Sequence, residues 1–488
     1  MEEQLEYSIN LESLHLENFR CFQDLNIKFD ERLTVFIAEN GGGKTAILDA
    51  IAEGLKIFLA TLKVDGYKTK LLPFKDIKKG LPTARCQLFA DIDYLVKDDY
   101  PATDNEGNIL TDEDGVEQII ESQKKENELV AFTFETAVSK LSYEASFYSQ
   151  TEPLKSYKDT NLPVLVYYGG DSVHIEYNAK EATSFGKLDR VYDDALSMER
   201  FQFTPFYNWW RENEDLMLRI KDKTLPRFKT FDSQFKKLKN AIEFMLNDNP
   251  LQPTYTDLRI NDELKMGVDK NTYKENGEVD SSLFIDVSQF SAGEKSLFAF
   301  VADLGLRLLY ATLLQNDEQK DDRQAIREGE RDIVVEDKKG TIKGKGIVLI
   351  DEVDLHLHPK WQRKVVGKLL DIFPDVQFVM TTHSPGAVQN IPKTSIRVIA
   401  DGKLSEKQIY TRGRDIESIY FDAFGQEEYP IEQKGLIDKV RDFYDIIDEG
   451  EAAELPKAKQ IIDDLKEEWG PKDKKIIELE TLYDLAIS

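Results

Sequence analysis

The 488-residue sequence has only two cysteines, Cys21 and Cys86, and neither has the spacing of a metal or redox pair. Disulfide staples and cysteine-ligated metals are therefore excluded as organising devices, and both thiols read as side chains without chemistry. Long hydrophobic runs are also missing. The longest uncharged apolar stretches, such as TVFIA at 34–38 and GIVLI at 346–350, are strand-sized and far short of the roughly 18 residues of a membrane span. The opening MEEQLEYSINLESLHLENF lacks a basic region followed by an apolar core, so no secretion signal is expected. A cytoplasmic location without a membrane partner follows as the expectation. Positive charge is scarce as well: 64 Lys and Arg face 91 Asp and Glu, for a net charge of −27. Such a surface repels phosphate backbones on average, so any nucleic-acid contact has to be local, metal-assisted or delegated to a partner.

What is present is enough for a large buried core, with 41% hydrophobic and 10% aromatic residues over a length that allows two or three domains. SINLESLHLENF and DLNIKFDERLTVFIA alternate like strands, and TAILDAIAEGLKIFL then spaces Ile47, Leu48, Ile51 and Leu55 as a helix does. Further strands are predicted at RCQLFADIDYLV, ELVAFTFETA and LPVLVYYGG, around an acidic segment from about 97 to 128 expected to form an exposed hairpin or loop. Residues 191–250 turn helical and aromatic in FYNWWRENED and FDSQFKKLKNAIEFMLND, with no sustained heptads, which argues against a long coiled coil. Strands return at LRINDELKMGVDK and SLFIDVSQF, followed by a helix from near Ser291 and a charged, glycine-containing stretch at 315–346 expected to be mobile. GIVLIDE, QRKVVGKLLDIF, VQFVMTTHS and SIRVIA then give strand, helix, strand and strand. The alternation predicts an α/β fold with a layered core. The last residues, 411–488, hold 11 Lys and Arg against 21 Asp and Glu over three helical segments, and suit either a small helical cap or an oligomerisation or partner-docking module.

Four short segments carry chemistry. In AENGGGKTA, the glycines Gly41, Gly42 and Gly43 let backbone N–H groups approach an anion at the start of a helix. Lys44 adds a cation, and Thr45 offers a hydroxyl to Mg²⁺. The loop pattern G-x-x-x-x-G-K-[ST] has Ala38 at its first position here, which predicts that this position does not need a positive φ. In IVLIDEVD, a buried strand delivers Asp351 and Glu352 to the carboxyl end of the sheet, the first suited to Mg²⁺ and the second to the attacking water. TTHSP follows another buried strand and brings His383 to the same edge for a γ-phosphate contact. FSAGEKS contains an S-x-x-E capping box, Ser291 to Glu294, which serves any helix start and equally makes a phosphate site. Asp354 with His356 and His358 leaves a metal site as an alternative use of that segment.

In this order the segments resemble the ABC-type ATPases of the SMC, Rad50 and RecF group. NFRCFQDLNIKF is similar to the group's opening hairpin, ENGGGKT to Walker A, FSAGEKS to the signature, IVLIDEVDLHLHP to Walker B and D-loop, and TTHSP to the switch histidine. The resemblance implies an ABC-type head in which residues 1–190 and 251–410 form the two parts of the ATPase domain, 191–250 a helical insertion and 411–488 an acidic helical region. It implies ATP and Mg²⁺ as cofactors, with Asn40, Gly41, Gly42, Gly43, Lys44, Thr45, Ala46 and Asp354 at the nucleotide. Thr45 and Asp351 would hold the metal, and Glu352 and His383 would act in hydrolysis. Ser291, Ala292, Gly293, Glu294 and Lys295 would face the nucleotide of a second copy, in a homodimer or higher oligomer. The glutamine of the family's Q-loop is missing, with Asp76 of FKDIKKG the nearest candidate; with Ala38, this implies slow or regulated turnover. Within the group, FYNWWRENED and GRDIESIYFDAFG resemble the compact PtuA-like ATPases of Septu and some retrons. That implies a partner HNH nuclease of the PtuB type, an antiviral role and nucleic-acid contact through the complex. A RecF-like repair ATPase that binds DNA as an ATP-dependent dimer is the alternative.

Overall fold

The computed structural model describes residues 5–6, 8–39, 41–61, 78, 83–97, 100–101, 119–120, 123–137, 142–143, 160–161, 163–169, 173–174, 191–192, 195–196, 201–219, 226–313, 339–414, 419, 431–449, 454–471 and 473–487. The chain divides into two compact units, Met1–Phe424 and Gly425–Ser488.

In chain order, the strands of the first unit that concern the site are β1 (Ser8–Glu17), β2 (Asp24–Lys28), β3 (Leu33–Ala38), β4 (Thr83–Lys97), β5 (Gln123–Ala137), β6 (Ser142–Tyr143) and β7 (Val164–Tyr168). They continue with β8 (Tyr255–Ile260), β9 (Met266–Tyr273), β10 (Val279–Asp286), β11 (Gly346–Ile350), β12 (Val376–Thr382), β13 (Ile396–Ala400) and β14 (Lys403–Leu404). The helices are α1 (Lys44–Thr61), α2 (Phe203–Arg219), α3 (Pro226–Leu246), α4 (Ala292–Leu313), α5 (Pro359–Ile372) and α6 (Pro385–Val388).

Six strands form the central sheet in the order β7-β11-β12-β3-β13-β14, parallel except for β14. Continuous burial of LTVFIA, VLVYY, GIVLI and VQFVMTT explains why these segments are apolar without alternation: helices or sheet cover both faces. A second, antiparallel sheet runs β2-β1-β4-β5-β6. Helix α1 lies against it, with Gly54 so close to Leu88 that a Cβ would sit 2.6 Å from that side chain, and Phe58 edge-on to Phe132. The result is the layered α/β core that the alternation predicts.

Two expectations are corrected. DLNIKFDERLTVFIA is not one strand: it breaks at Asp30, whose carboxylate accepts from Arg32 N at 3.1 Å and Leu33 N at 3.4 Å, so β2 joins the antiparallel sheet and β3 the parallel one. The hairpin expected within 97–128 is present, since Tyr100–Pro101 pairs antiparallel with Ile119–Ile120 and β5 begins at Gln123; residues 102–118 lie outside the described residues. The end of the charged stretch at 315–346 is firmly packed. Ile342 is 1% exposed and its N–H bonds Ile372 O at 2.8 Å, while Gly340, at φ 64°, abuts the backbone of Ala241 too closely for any side chain. Residues 314–338 lie outside the described residues.

The aromatic residues of FYNWW are core rather than surface. Trp209 and Trp210 of α2 pack with Phe235 of α3, the ring centres of Trp210 and Phe235 lying 4.3 Å apart, and Phe206 meets Phe298 of α4 edge-on at 5.8 Å. Phe298 in turn packs on Phe290 at 6.1 Å, so the segment 203–246 is continuous in packing with the start of α4.

The second unit is three helices, α7 (Ile431–Glu449), α8 (Leu455–Trp469) and α9 (Lys474–Ile487), around its own core of Phe443, Ala458, Ile462, Leu465, Ile476 and Leu479. Lys439 pairs with Asp464 at 2.7 Å, and Lys466 pairs with Glu480, which ties the three helices together. Among the described residues no helix is long and apolar enough to cross a membrane.

Candidate active site

The parallel sheet brings the carboxyl ends of β3, β11 and β12 together, and the registers fix what meets there. Ile350 pairs with Met380 and Thr382 with Ile37, so β12 overhangs β11 by two threonines, Thr381 and Thr382, between Asp351 and the loop after β3.

Ala38 ends β3 as an extended residue, as its missing glycine predicts, and the left-handed positions are Gly41 (φ 78°) and Gly43 (φ 91°). A Cβ on Gly42 would come within 2.7 Å of the Ala38 Cβ, and one on Gly43 within 2.4 Å of the Phe22 ring and 2.5 Å of Cys21 Sγ. The loop thus turns tightly under the hairpin of β1 and β2 and opens into α1, whose first N–H groups have no partner within the helix and face outward as anion donors. Ala46, buried at the first turn, seats that end of α1 in the core. Asn40 lies outside the described residues, as does Asp76.

Lys44 is folded back over its own loop. Its ammonium donates to Ala38 O at 2.8 Å, Glu39 O at 3.1 Å and His383 Nδ1 at 3.3 Å. Burial lowers its pKa, with the carboxylates of Asp351, Glu352 and Asp354 working the other way. An ammonium cannot accept, so His383 Nδ1 is the acceptor and its ring proton sits on Nε2, 3.8 Å from Glu352 Oε1. The imidazole therefore accepts from the loop lysine and lies beside the acid at the tip of β11.

Thr45 Oγ1 donates to Asp351 Oδ2 at 2.7 Å, and Thr381 Oγ1 donates to Asp351 Oδ1 at 2.5 Å. Glu352 has φ 52°, a left-handed backbone unusual for a residue with a side chain, and its N–H is held by Thr381 Oγ1 at 2.8 Å. Thr382 Oγ1 donates to Asp354. Ser384 Oγ bonds Gln362 Oε1 at 2.8 Å, while Gln362 Nε2 donates to Leu357 O at 3.1 Å. The segments after β11 and β12 are thus laced together by Thr381, Thr382, Gln362 and Ser384, none of them selected from the sequence. Both threonines were visible in TTHSP; only the register shows that they reach the acids.

His358, near Asp354, has another role. It caps α5, its Nδ1 accepting from Lys360 N at 3.2 Å, and Asp354 is engaged by Thr382. Among the described residues no group of three or more His, Cys, Asp or Glu is arranged to hold a metal.

Ser291 to Lys295 form a capping box: Ser291 N and Oγ donate to Glu294 Oε2 at 2.9 and 2.7 Å, and Glu294 N donates to Ser291 Oγ at 3.3 Å. Ala292 opens α4, and Lys295 N bonds Ser291 O at 2.9 Å. Gly293 lies against the segment after β11, where a Cβ would come within 2.7 Å of His356 O. Among the described residues, Ser291 to Lys295 make no hydrogen bond to Gly41 through Ala46. One chain therefore assembles Lys44, Thr45, Asp351, Glu352 and His383, while the Ser291 hydroxyl is committed to Glu294.

A family model described as "AAA domain" matches residues 13–276, more than half of the chain. The chain belongs to this AAA-domain family. It is an ATPase, and a second AAA-domain model, described with the AbiEii toxin and type IV TA systems, matches residues 192–389. The AAA-domain chain is 24% identical over 528 aligned positions to the "Retron Ec83 probable ATPase" of Escherichia coli, covering 96% of this chain and 86% of that protein. It is 37% identical over 94 residues to "Septu protein PtuA" of Bacillus thuringiensis, which covers 17% of this chain and 23% of that one. Among solved structures, the "SMC head domain from Thermotoga maritima" aligns with 82% of this chain and 100% of its own at 12% identity and a TM-score of 0.33.

Proposed function

We propose that this ATPase is the regulatory subunit of an anti-phage defence complex, an ATP-dependent dimer whose nucleotide state controls an associated HNH-type nuclease. One observation supports the dimer: in a chain that gathers Lys44, Thr45, Asp351, Glu352 and His383, the Ser291 hydroxyl is taken up by its own cap and, among the described residues, makes no hydrogen bond to the loop, which leaves it for the nucleotide of a second copy. The likeness to a retron ATPase along nearly the whole chain, and to PtuA over a shorter stretch, supports the defence role.

The phosphates of ATP bind over the loop N–H groups and replace the carbonyl oxygens and the imidazole as partners of Lys44. Thr45 and Asp351, a hydroxyl and a hard carboxylate oxygen already in contact, fit Mg²⁺ as a donor pair. When bound, Mg²⁺ neutralises phosphate charge. Glu352, pinned by Thr381, orients the attacking water, and His383, freed from Lys44, turns its Nε2–H toward the terminal phosphate.

Lys44→Ala is expected to abolish ATP binding, and Glu352→Gln to retain ATP and accumulate a dimer. A nuclease subunit should copurify with the chain expressed from its native locus. DNA cleavage by the purified chain alone would sink the partner model, and salt-sensitive DNA binding by its ATP dimer would favour the repair alternative.

A further inference from the structure

Outside the nucleotide half-site, a line of polar contacts runs through the chain to the serine turn. Tyr255 on β8 is buried, and its hydroxyl donates to Glu294 Oε1 at 2.6 Å. The other oxygen of that carboxylate holds both the N–H and the hydroxyl of Ser291. Phenol, carboxylate and serine thus form a chain that ends on the group a partner's ATP has to meet. Burial and the neighbouring Glu294 push the Tyr255 phenol up, so it stays a donor at any working pH.

Tyr255 is itself fixed. Its backbone N–H and C=O are both bonded by the Asn247 side chain, at 2.8 and 2.6 Å, and its ring packs on Phe290 at 5.6 Å. Asn247 follows directly on α3, and its carbonyl, with those of Phe244 and Met245 in the last turn of that helix, receives the ammonium of Lys368. Lys360 and Lys364 pair with Asp248 at 2.5 and 2.9 Å. The three lysines recur every fourth residue and so share one face of α5, the helix that begins where the segment after Asp351 ends.

We propose that Tyr255 is a positioning residue for the Ser291 hydroxyl, and that the lysine face of α5 holds Tyr255 in register with the acids of the same chain. The proposal rests on the composite-site reading above and adds its cis control. In the lone chain the serine hydroxyl is committed to Glu294; in the dimer it turns to phosphate, and Tyr255 keeps Glu294 in place as the cap while it does so. A shift of the segment after Asp351 reaches Ser291 by way of α5, Asn247 and Tyr255.

The test uses Tyr255→Phe in the full chain, which removes one oxygen and keeps the packing on Phe290. Affinity of the single chain for a fluorescent ATP analogue should stay within about twofold of wild type, whereas ATP-dependent dimerisation and turnover fall about tenfold, the worth of one charge-assisted hydrogen bond. The acid limb of the pH-rate profile should move to higher pH. Burial raises the Glu294 pKa, hydrogen bonds from Tyr255 and Ser291 more than reverse this, and the variant lacks one of those bonds. Lys368→Met should give the same pattern more weakly, and the double variant should be no worse than Tyr255→Phe. An unaltered Tyr255→Phe beside an ATP-dependent wild-type dimer overturns the proposal alone, as do losses that multiply in the double variant. Wild-type turnover independent of protein concentration overturns the composite-site reading and the proposal with it.

Discussion

Replacing Thr381 with valine keeps the shape of a fully buried side chain and strips one hydroxyl that serves both acids. That hydroxyl donates to Asp351 Oδ1 at 2.5 Å and accepts from Glu352 N at 2.8 Å. Its loss leaves a carboxylate oxygen without its donor, at about 2 kcal/mol for a charged partner, and a backbone N–H without its acceptor, at about 1 kcal/mol. It also releases the backbone N–H of Glu352, and the left-handed φ of 52° relaxes toward the ordinary regions. If about 3 kcal/mol is expressed in the transition state, turnover falls roughly 10²-fold. Affinity for ATP changes little, because Lys44 and the loop are untouched. The assay is steady-state ATP hydrolysis with a parallel binding titration, and Thr381→Ser should restore turnover to within about threefold since it keeps the hydroxyl. A Thr381→Val enzyme within about twofold of wild type in kcat would refute the argument that this hydroxyl holds the acids.

Gly43→Ala puts a methyl into the Phe22 ring and Cys21 Sγ at a φ of 91°; a loss of roughly 3 kcal/mol in stability and of ATP binding should show in urea unfolding and a nucleotide titration. Gly293→Ala pushes the start of α4 from His356 O, so single-chain nucleotide binding should persist while ATP-dependent dimerisation, read by light scattering, is lost. The Lys44 pKa is depressed from 10.5 in the empty site by burial, and bound phosphates raise it, so ATP binding takes up a proton in the window below 10.5 and weakens as pH rises through the free-site value. Calorimetry in two buffers of different ionisation enthalpy, repeated from about pH 7 to about pH 10, reads that uptake, and identical heats throughout would contradict it.

Much of the site was legible because its parts are local. A glycine loop between a strand and a helix, and acids directly after four apolar residues, declare their own position at the edge of a parallel sheet. What sequence could not show depends on register or on distant packing. Thr381 and Thr382 matter because β12 runs two residues past β11, and no residue type announces that offset. The single run from Asp24 to Ala38 conceals a change of sheet because the breaker is one aspartate in a turn without glycine or proline. Lys360, Lys364 and Lys368 lie on a helix that the sequence predicts, but nothing local shows that they clamp the end of α3. FYNWW was legible as helical and aromatic, but that it is the hub between α2, α3 and α4 depends on distant packing.

The contact between Ala38 and Gly42 carries a consequence for descent. The methyl at 38 occupies space that a side chain at 42 would need, 2.7 Å away, so the two positions can hold only one Cβ between them. A lineage that acquires alanine at the start of the loop loses its freedom at the fifth position. Among relatives, a side chain at the position of Gly42 should therefore be found only where glycine has returned at the position of Ala38.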